Sequence, residues 1–335
     1  MIAKIEPEEH QIHQDLAPII VAGLRSTPRS FPSLLLWDEY GLSVYEKITN
    51  SKDYYPSRVE AEVLRDNVDS IISTIAPNSV ILELGSGSLH KTGILLSALA
   101  AAKTPIDYYA LDVSASSVSQ SLSDLRTRLN HSPHVQCHPL ILTYADSIQW
   151  LMDTPSLHNR DIHILWLGSS IANESPKEIS TLFTGFAHAF RHSGLRSLRF
   201  LVGADGCKER ELVQNAYDTR DGLSRKFVLN VLTNANRALE VDVFEEGKWA
   251  FSGEWEEGSE QYRTSIVAVE TQKLILGEEE VTVNEGEKVT VIVSRKVGRM
   301  DMEGWCKGTG VELGKVWTHA KVDYSFFELL TTFQK

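Results

Sequence analysis

Hydrophobic positions fall into short runs separated by polar, helix-patterned stretches through the middle of the chain. Runs at 80–84, 106–111, 135–142, 163–167 and 198–202 have the length and composition of buried strands. Their alternation with helical segments predicts an α/β fold built on a doubly wound, Rossmann-like parallel sheet. Such a sheet binds its ligand at the carboxyl ends of the strands. Residues 1 to about 60 pattern as helix and include an aromatic-rich stretch from Trp37 to Tyr55, and 208–239 is helical again. From Glu240 the pattern changes. Segments 241–245, 264–270, 280–284 and 288–294 alternate or carry β-branched residues, as antiparallel strands do. The predicted organisation has three parts: an N-terminal helical piece (1–60), a cofactor-binding sheet domain (61–205) and a C-terminal part (206–335). The first and last together form an α+β substrate module.

The turn after the first run carries the chemistry. ValIleLeuGluLeuGlySerGlySerLeuHisLys (80–91) reads as strand, glycine hinge and helix start. Gly85 and Gly87 are spaced as in a dinucleotide loop, but the third glycine of that loop is replaced by His90. Glu83 places an acid just ahead of the turn, where a pyrophosphate would be repelled. A cationic cofactor without phosphates, S-adenosylmethionine, fits better. Asp112 ends the second run, where a carboxylate can accept hydrogen bonds from both ribose hydroxyls. A turn-forming or capping role is the alternative, with Ser114–Ser117 following.

The net charge of −12 over 335 residues argues against nucleic acid and gives no attraction to anionic membranes. The longest apolar stretch, 93–102, is too short to span a bilayer, and the polar opening residues hold no secretion leader. Cys137, Cys207 and Cys306 form no redox or metal spacing and suggest a cytoplasmic setting. His131, His134 and His138 sit in a strand-like context that disperses them, so no metal site is expected.

Four segments carry a family resemblance. They are TrpAspGluTyrGlyLeuSerValTyrGluLysIleThrAsn with AspTyrTyrProSerArgValGluAla (37–50, 53–61), GluLeuGlySerGlySerLeuHisLysThr (83–92), LeuGlySerSerIleAlaAsn (167–173) and AlaTyrAspThrArgAspGlyLeuSerArgLysPheValLeuAsn (216–230). Together they resemble the histidine-specific N-methyltransferases of ergothioneine synthesis and their fungal relatives acting on tryptophan-like amino acids, including the 4-dimethylallyltryptophan branch of ergot alkaloid pathways. The resemblance runs from about Pro28 to the end. It implies that Tyr54 touches cofactor and substrate near the reacting centre. Glu83, Gly85 and Gly87 then belong to the cofactor loop, with Lys91 on the methionine carboxylate, Asp112 on the ribose, and Thr143 and Tyr144 beside the adenine. Gly168 and Asn173 follow the fourth strand, where an asparagine holds the substrate amine. Tyr217 matches the tyrosine that binds the substrate carboxylate, and Ser294 a residue on the side-chain pocket wall.

The sequence departs from the histidine enzymes at two positions. Their imidazole-pairing glutamate is Ile292 here, and a histidine-contacting tyrosine is Trp37. A buried imidazole without its partner should bind worse by roughly 1–3 kcal/mol. The resemblance therefore implies a cytoplasmic, metal-independent enzyme, monomer or homodimer, that methylates the α-amine of tryptophan or its prenylated form. A histidine Nα-methyltransferase is the runner-up. A nicotinamide oxidoreductase or a non-catalytic protein on the same sheet is the reading from another class. Read without the family, Asn173 is a loop residue, Tyr54 packs a turn, and Ile292 and Ser294 are ordinary strand positions.

Overall fold

The computed structural model describes residues 16–277 and 279–332; the polar opening stretch and Glu278, first of the acidic run 278–287, lie outside these. The helices are α1 (Ala17–Arg25), α2 (Glu39–Thr49), α3 (Tyr55–Ile72), α4 (Thr92–Ala101), α5 (Ala115–Arg128), α6 (Tyr144–Asp153), α7 (Pro176–His192), α8 (Arg210–Tyr217), α9 (Leu223–Leu239) and α10 (Arg299–Cys306). The strands are β1 (Arg29–Ser30), β2 (Ser79–Leu84), β3 (Ile106–Asp112), β4 (Val135–Ile141), β5 (Asp161–Trp166), β6 (Ser197–Asp205), β7 (Trp249–Glu256), β8 (Gln261–Ala268), β9 (Gln272–Leu276), β10 (Glu279–Val283), β11 (Lys288–Arg295), β12 (Val311–Thr318) and β13 (Tyr324–Thr331). Among the described residues no helix is long and apolar enough to cross a membrane. The chain forms two compact units, one of residues up to 55 with 208–295, the other of 56–207 with 296 onward.

The second unit is built on a seven-stranded sheet in the order β12-β13-β6-β5-β2-β3-β4. The strands β4, β3, β2, β5 and β6 are parallel; β13 lies antiparallel between β6 and β12. The order reverses between β2 and β5, so the loops leaving these two strands flank the switch point where such sheets bind ligands. Val80, Leu82 and Leu84 of β2 face one layer with Ile162, Ile164 and Trp166 of β5, against Ile179, Phe183, Phe186 and Phe190 of α7. Ile81 and Leu165 face the other layer, with Val63 and Leu64 of α3, Leu95 and Leu96 of α4 and Leu122 of α5. Strands covered on both sides need no polar face, which is why these runs read as continuously apolar.

The expected single C-terminal part, 206–335, is divided in the structure. Residues 208–295 cluster with the N-terminal residues, whereas 296 onward completes the large sheet. The reason lies in β13, which pairs with β6 and β12 and whose residues from Tyr324 to Leu329 are all buried, as a strand covered on both faces requires.

His163 of β5 is 6% exposed inside this sheet. Burial, aided by the Arg199 guanidinium and opposed by Asp161, holds its imidazole down at about 4 from an ordinary 6.5. The unfolded chain therefore takes up a proton that the folded chain refuses as pH falls below 6.5. Stability is lost progressively between pH 6.5 and 4, by roughly 3 kcal/mol, and no further below that window. His163→Leu should flatten the acid limb of a stability-against-pH curve by about that amount; an unchanged slope would show that His163 does not contribute to it.

The first unit has a four-stranded sheet in the order β1-β11-β8-β7 and a separate β9–β10 hairpin. A bulge between Thr290 and Ile292 shifts the register of β11 against β8. Segment 241–245, expected as a strand, is an irregular loop. The Asn236 side chain, one turn before the end of α9, explains it. Its Oδ1 accepts the backbone N–H groups of Val243 (3.1 Å) and Phe244 (2.9 Å), and its Nδ2 donates to the Phe244 carbonyl (2.9 Å). Phe244 is thereby buried against the rings of Phe31 and Trp249. Backbone groups spent on a side chain are not available to a ladder.

Candidate active site

At the switch point of the second unit, the loops after β2, β3 and β5 are stitched together. Gly85 and Gly87 both take positive φ (+66° and +51°), which glycine adopts without strain. The Gly87 N–H donates to Asp112 Oδ2 (3.3 Å), whose other oxygen accepts from Val113 N–H (2.8 Å). Burial raises the Asp112 carboxyl above its ordinary value, against the pull of these backbone donors. Around Gly87 a Cβ would meet nothing within 4 Å, so open space stands over the loop next to Asp112. At Gly85 a Cβ would lie 2.6 Å from the Tyr144 hydroxyl, so that phenol sits against the glycine and would have to shift for a larger residue. Tyr144 begins α6, edge-on to Trp166 with centroids 5.3 Å apart. The Thr143 hydroxyl is committed to the α6 cap, accepting from Asp146 N–H (3.2 Å) and donating to its carboxylate (2.6 Å).

Glu83 lies beneath the loop rather than on it. It is 3% exposed and accepts from the Thr92 hydroxyl (2.7 Å) and from Tyr108. Burial pushes its carboxyl up to about 7, opposed by those hydrogen bonds and by Lys91. Lys91 stands immediately ahead of α4 without a side-chain cap bond and pairs with Glu60, a fully buried residue of α3. Glu60 also accepts the Gly168 N–H at 2.7 Å. Gly168 (φ +75°) opens the loop after β5, and a Cβ there would be 3.3 Å from the Lys91 ammonium. Asn173 closes the short helical turn Ser170–Asn173 of the same loop and is partly buried. A cation, a strand-tip acid and a glycine loop with free space are a donor set that suits a sulfonium amino-acid nucleoside. Among the described residues no three acids, histidines or cysteines are grouped to hold a metal.

In the first unit the expected Trp37, Tyr54 and Tyr217 are joined by three aromatic residues that sequence reading missed. Trp37 stands edge-on to Tyr45 (5.1 Å) and Phe227 (5.2 Å). Tyr45 meets Tyr54 (6.1 Å), and their hydroxyls are 3.1 Å apart. Tyr54 meets Tyr217 (6.0 Å), which stacks on Tyr262 (5.1 Å). Local chemistry holds this chain of rings in place. Asp38 caps α2 through Gly41 N–H (2.9 Å) and accepts from Asn230 (2.7 Å), while Asn234 donates to the Leu35 carbonyl (2.7 Å). These contacts fix the turn that carries Trp37. Asp53 accepts from the Arg220 backbone (3.3 Å) and Nε (3.1 Å), which fixes the segments carrying Tyr54 and Tyr217 together.

Ile292 and Ser294 lie on β11 opposite Thr264 and Tyr262 of β8, with Gly253 and Trp255 of β7 next across. Alternation puts these six residues on one face and Glu254, Arg263 and Val293 on the other. Tyr262 is fully buried and its hydroxyl has no hydrogen-bond partner among the described residues; it rests on Gly253, where a Cβ would collide with it. Tyr45, Glu60 and Phe227 fall inside the segments that carry the family resemblance, so their position there was a usable signal. Tyr262 lies outside them, and only the strand register reveals it.

Known proteins share this chain's pattern along most of its length. Residues 14–331 match the family described as histidine-specific, S-adenosylmethionine-dependent methyltransferases. The chain is 34% identical to N-methyltransferase imqF of Aspergillus flavus, over 92% of this chain and 83% of that one. It is 30% identical to 4-dimethylallyltryptophan N-methyltransferase easF of Claviceps purpurea, over 97% of both. It is 33% identical to ergothioneine biosynthesis protein 1 of Neurospora crassa, over 87% of this chain but 32% of that longer protein. The chain belongs to the histidine-specific methyltransferase family and is an S-adenosylmethionine-dependent N-methyltransferase.

Proposed function

We propose that the chain methylates the α-amino group of an aromatic amino acid, L-tryptophan or 4-dimethylallyl-L-tryptophan. The observation that carries this is the acid-free sheet face holding Ile292, beside a chain of six aromatic rings. Glu254 lies on the opposite face of the strands, so the wall offers an imidazole no carboxylate. An indole presents mostly hydrocarbon, and apolar contact contributes about 25 cal/mol per Å² buried. The name of the Claviceps relative, aligned along nearly its whole length, supports the prenylated substrate.

Bound at the second unit's loops, the cofactor supplies a methyl group on a positively charged sulfur. Asp112 holds the ribose hydroxyls, Lys91 the carboxylate, and Tyr144 with Thr143 the adenine side. Asn173 orients the neutral substrate amine through its side-chain carbonyl, and Tyr54 offers a second hydrogen bond. Tyr217 fixes the substrate carboxylate.

Incubation with the cofactor and, separately, histidine, tryptophan and 4-dimethylallyltryptophan, read by product mass, tests the substrate. A product from histidine alone would overturn the reading. The cofactor assignment has its own test. Asp112→Ala should weaken S-adenosylhomocysteine binding at least tenfold in calorimetry, because charge-assisted hydrogen bonds of roughly 1.5–3 kcal/mol are lost. Unchanged affinity would sink the ribose role of Asp112.

A further inference from the structure

Glu60 belongs to no role assigned so far, and its surroundings are unusual. It is a carboxylate with no exposed surface, 31 residues from the lysine it pairs with. One oxygen takes the Lys91 ammonium and the other the backbone N–H of Gly168 at 2.7 Å. Gly203 of β6 makes the room: a Cβ on that strand would collide with the Glu60 carboxylate. A buried acid is expensive unless fully paired. Here α3 inserts one between the loop after β2 and the loop after β5, and a bare glycine on a third element accommodates it.

We propose that Glu60 is a positioning residue that aims Lys91 at the carboxylate of the cofactor and ties that lysine to the loop bearing Gly168. A lysine stem has four rotatable bonds, and an unrestrained ammonium loses much of its attraction for an anion to the entropy of being fixed. Glu60 holds the ammonium beside Gly168 before any ligand arrives. The acid itself has no exposed surface, so it acts through Lys91 rather than by touching ligand. This inference rests on the assignment of Lys91 to the cofactor carboxylate.

The two ligands that separate the possibilities are S-adenosylhomocysteine, which carries the amino-acid end, and methylthioadenosine, which lacks it. Glu60→Gln keeps the size of the side chain and an acceptor for Gly168 but removes the charge that holds Lys91. Its affinity for S-adenosylhomocysteine should fall tenfold or more in calorimetry, while its affinity for methylthioadenosine stays within about twofold. Lys91→Met should show the same split, and combining the two changes should add nothing further. Parallel loss of both ligands in Glu60→Gln would make the residue merely structural and overturn the proposal. A split in Lys91→Met without one in Glu60→Gln would overturn the role of Glu60 alone. No split in Lys91→Met would overturn the assignment of Lys91 and the proposal with it. Should Glu60→Gln fail to fold, Glu60→Asp serves. It keeps the charge with a shorter reach, and should lower affinity for S-adenosylhomocysteine selectively; equal loss of the two ligands again overturns the proposal.

Discussion

Asn173→Ala is expected to lower turnover by about 10²-fold or more, while affinity for S-adenosylhomocysteine stays close to that of the unaltered chain. The expectation comes from orientation: an amine held at the wrong angle to the methyl group forfeits much of the advantage of being bound at all. The loop that presents Asn173 carries supporting contacts at other residues. Gly168 N–H is held by Glu60, the Ser169 hydroxyl accepts Asp205 N–H at 3.0 Å, and the Ser170 hydroxyl donates to the Leu167 carbonyl at 3.0 Å. Truncating Asn173 leaves these three contacts in place, so the proposed directing role can be read apart from them. Single-turnover rates with calorimetry on the same protein check this. Loss of cofactor binding together with activity would assign Asn173 to the architecture of the loop instead.

The second large effect is substrate discrimination. The ratio of kcat/KM for the indole amino acid over histidine should be about 10² or higher, equivalent to about 2.7 kcal/mol. One unpaired imidazole nitrogen, together with the extra hydrocarbon surface that an indole buries, suffices for that figure. Ile292→Glu should erode activity on the indole substrate, because it places a half-buried carboxylate beside Thr264, Ser294 and Tyr262, none of them a cation. The same change should raise any trace activity on histidine. Competition between the two amino acids in one incubation gives the ratio directly. Histidine proving the better substrate of the unaltered chain would overturn both the pocket reading and the role of Ile292.

Much of the second unit was legible because its strands are covered on both faces and its turn chemistry is local. Runs of buried residues and the Gly85–Gly87 hinge announce themselves within a few positions of one another. Strand β13 escaped because nothing nearby in sequence says that TyrSerPhePheGluLeuLeuThr inserts beside β6. Segment 241–245 misled because alternation of valines is a strand signal only while the backbone is unclaimed, and Asn236 had claimed it. At the candidate site, residues with a chemical label were legible and their supports were not. Tyr54 and Tyr217 stood out as motif members, yet the Asp53–Arg220 pair that orders their segments spans 167 residues. Glu60 lay inside the segment 53–61 without a reading of its own, since burial is not written in a residue's identity.

The placement of β13 also bears on how the chain is made. Its partner β6 leaves the ribosome with the rest of the parallel sheet, but the register from Tyr324–Asp205 to Leu330–Arg199 cannot form until all of 208–295 has been synthesised. Through that interval β6 is an open edge, with backbone donors and acceptors free to recruit another chain. Pairings so distant in sequence also close slowly, because the entropy of the intervening loop opposes them first. The inserted unit, rather than the sheet itself, sets how long that edge must wait.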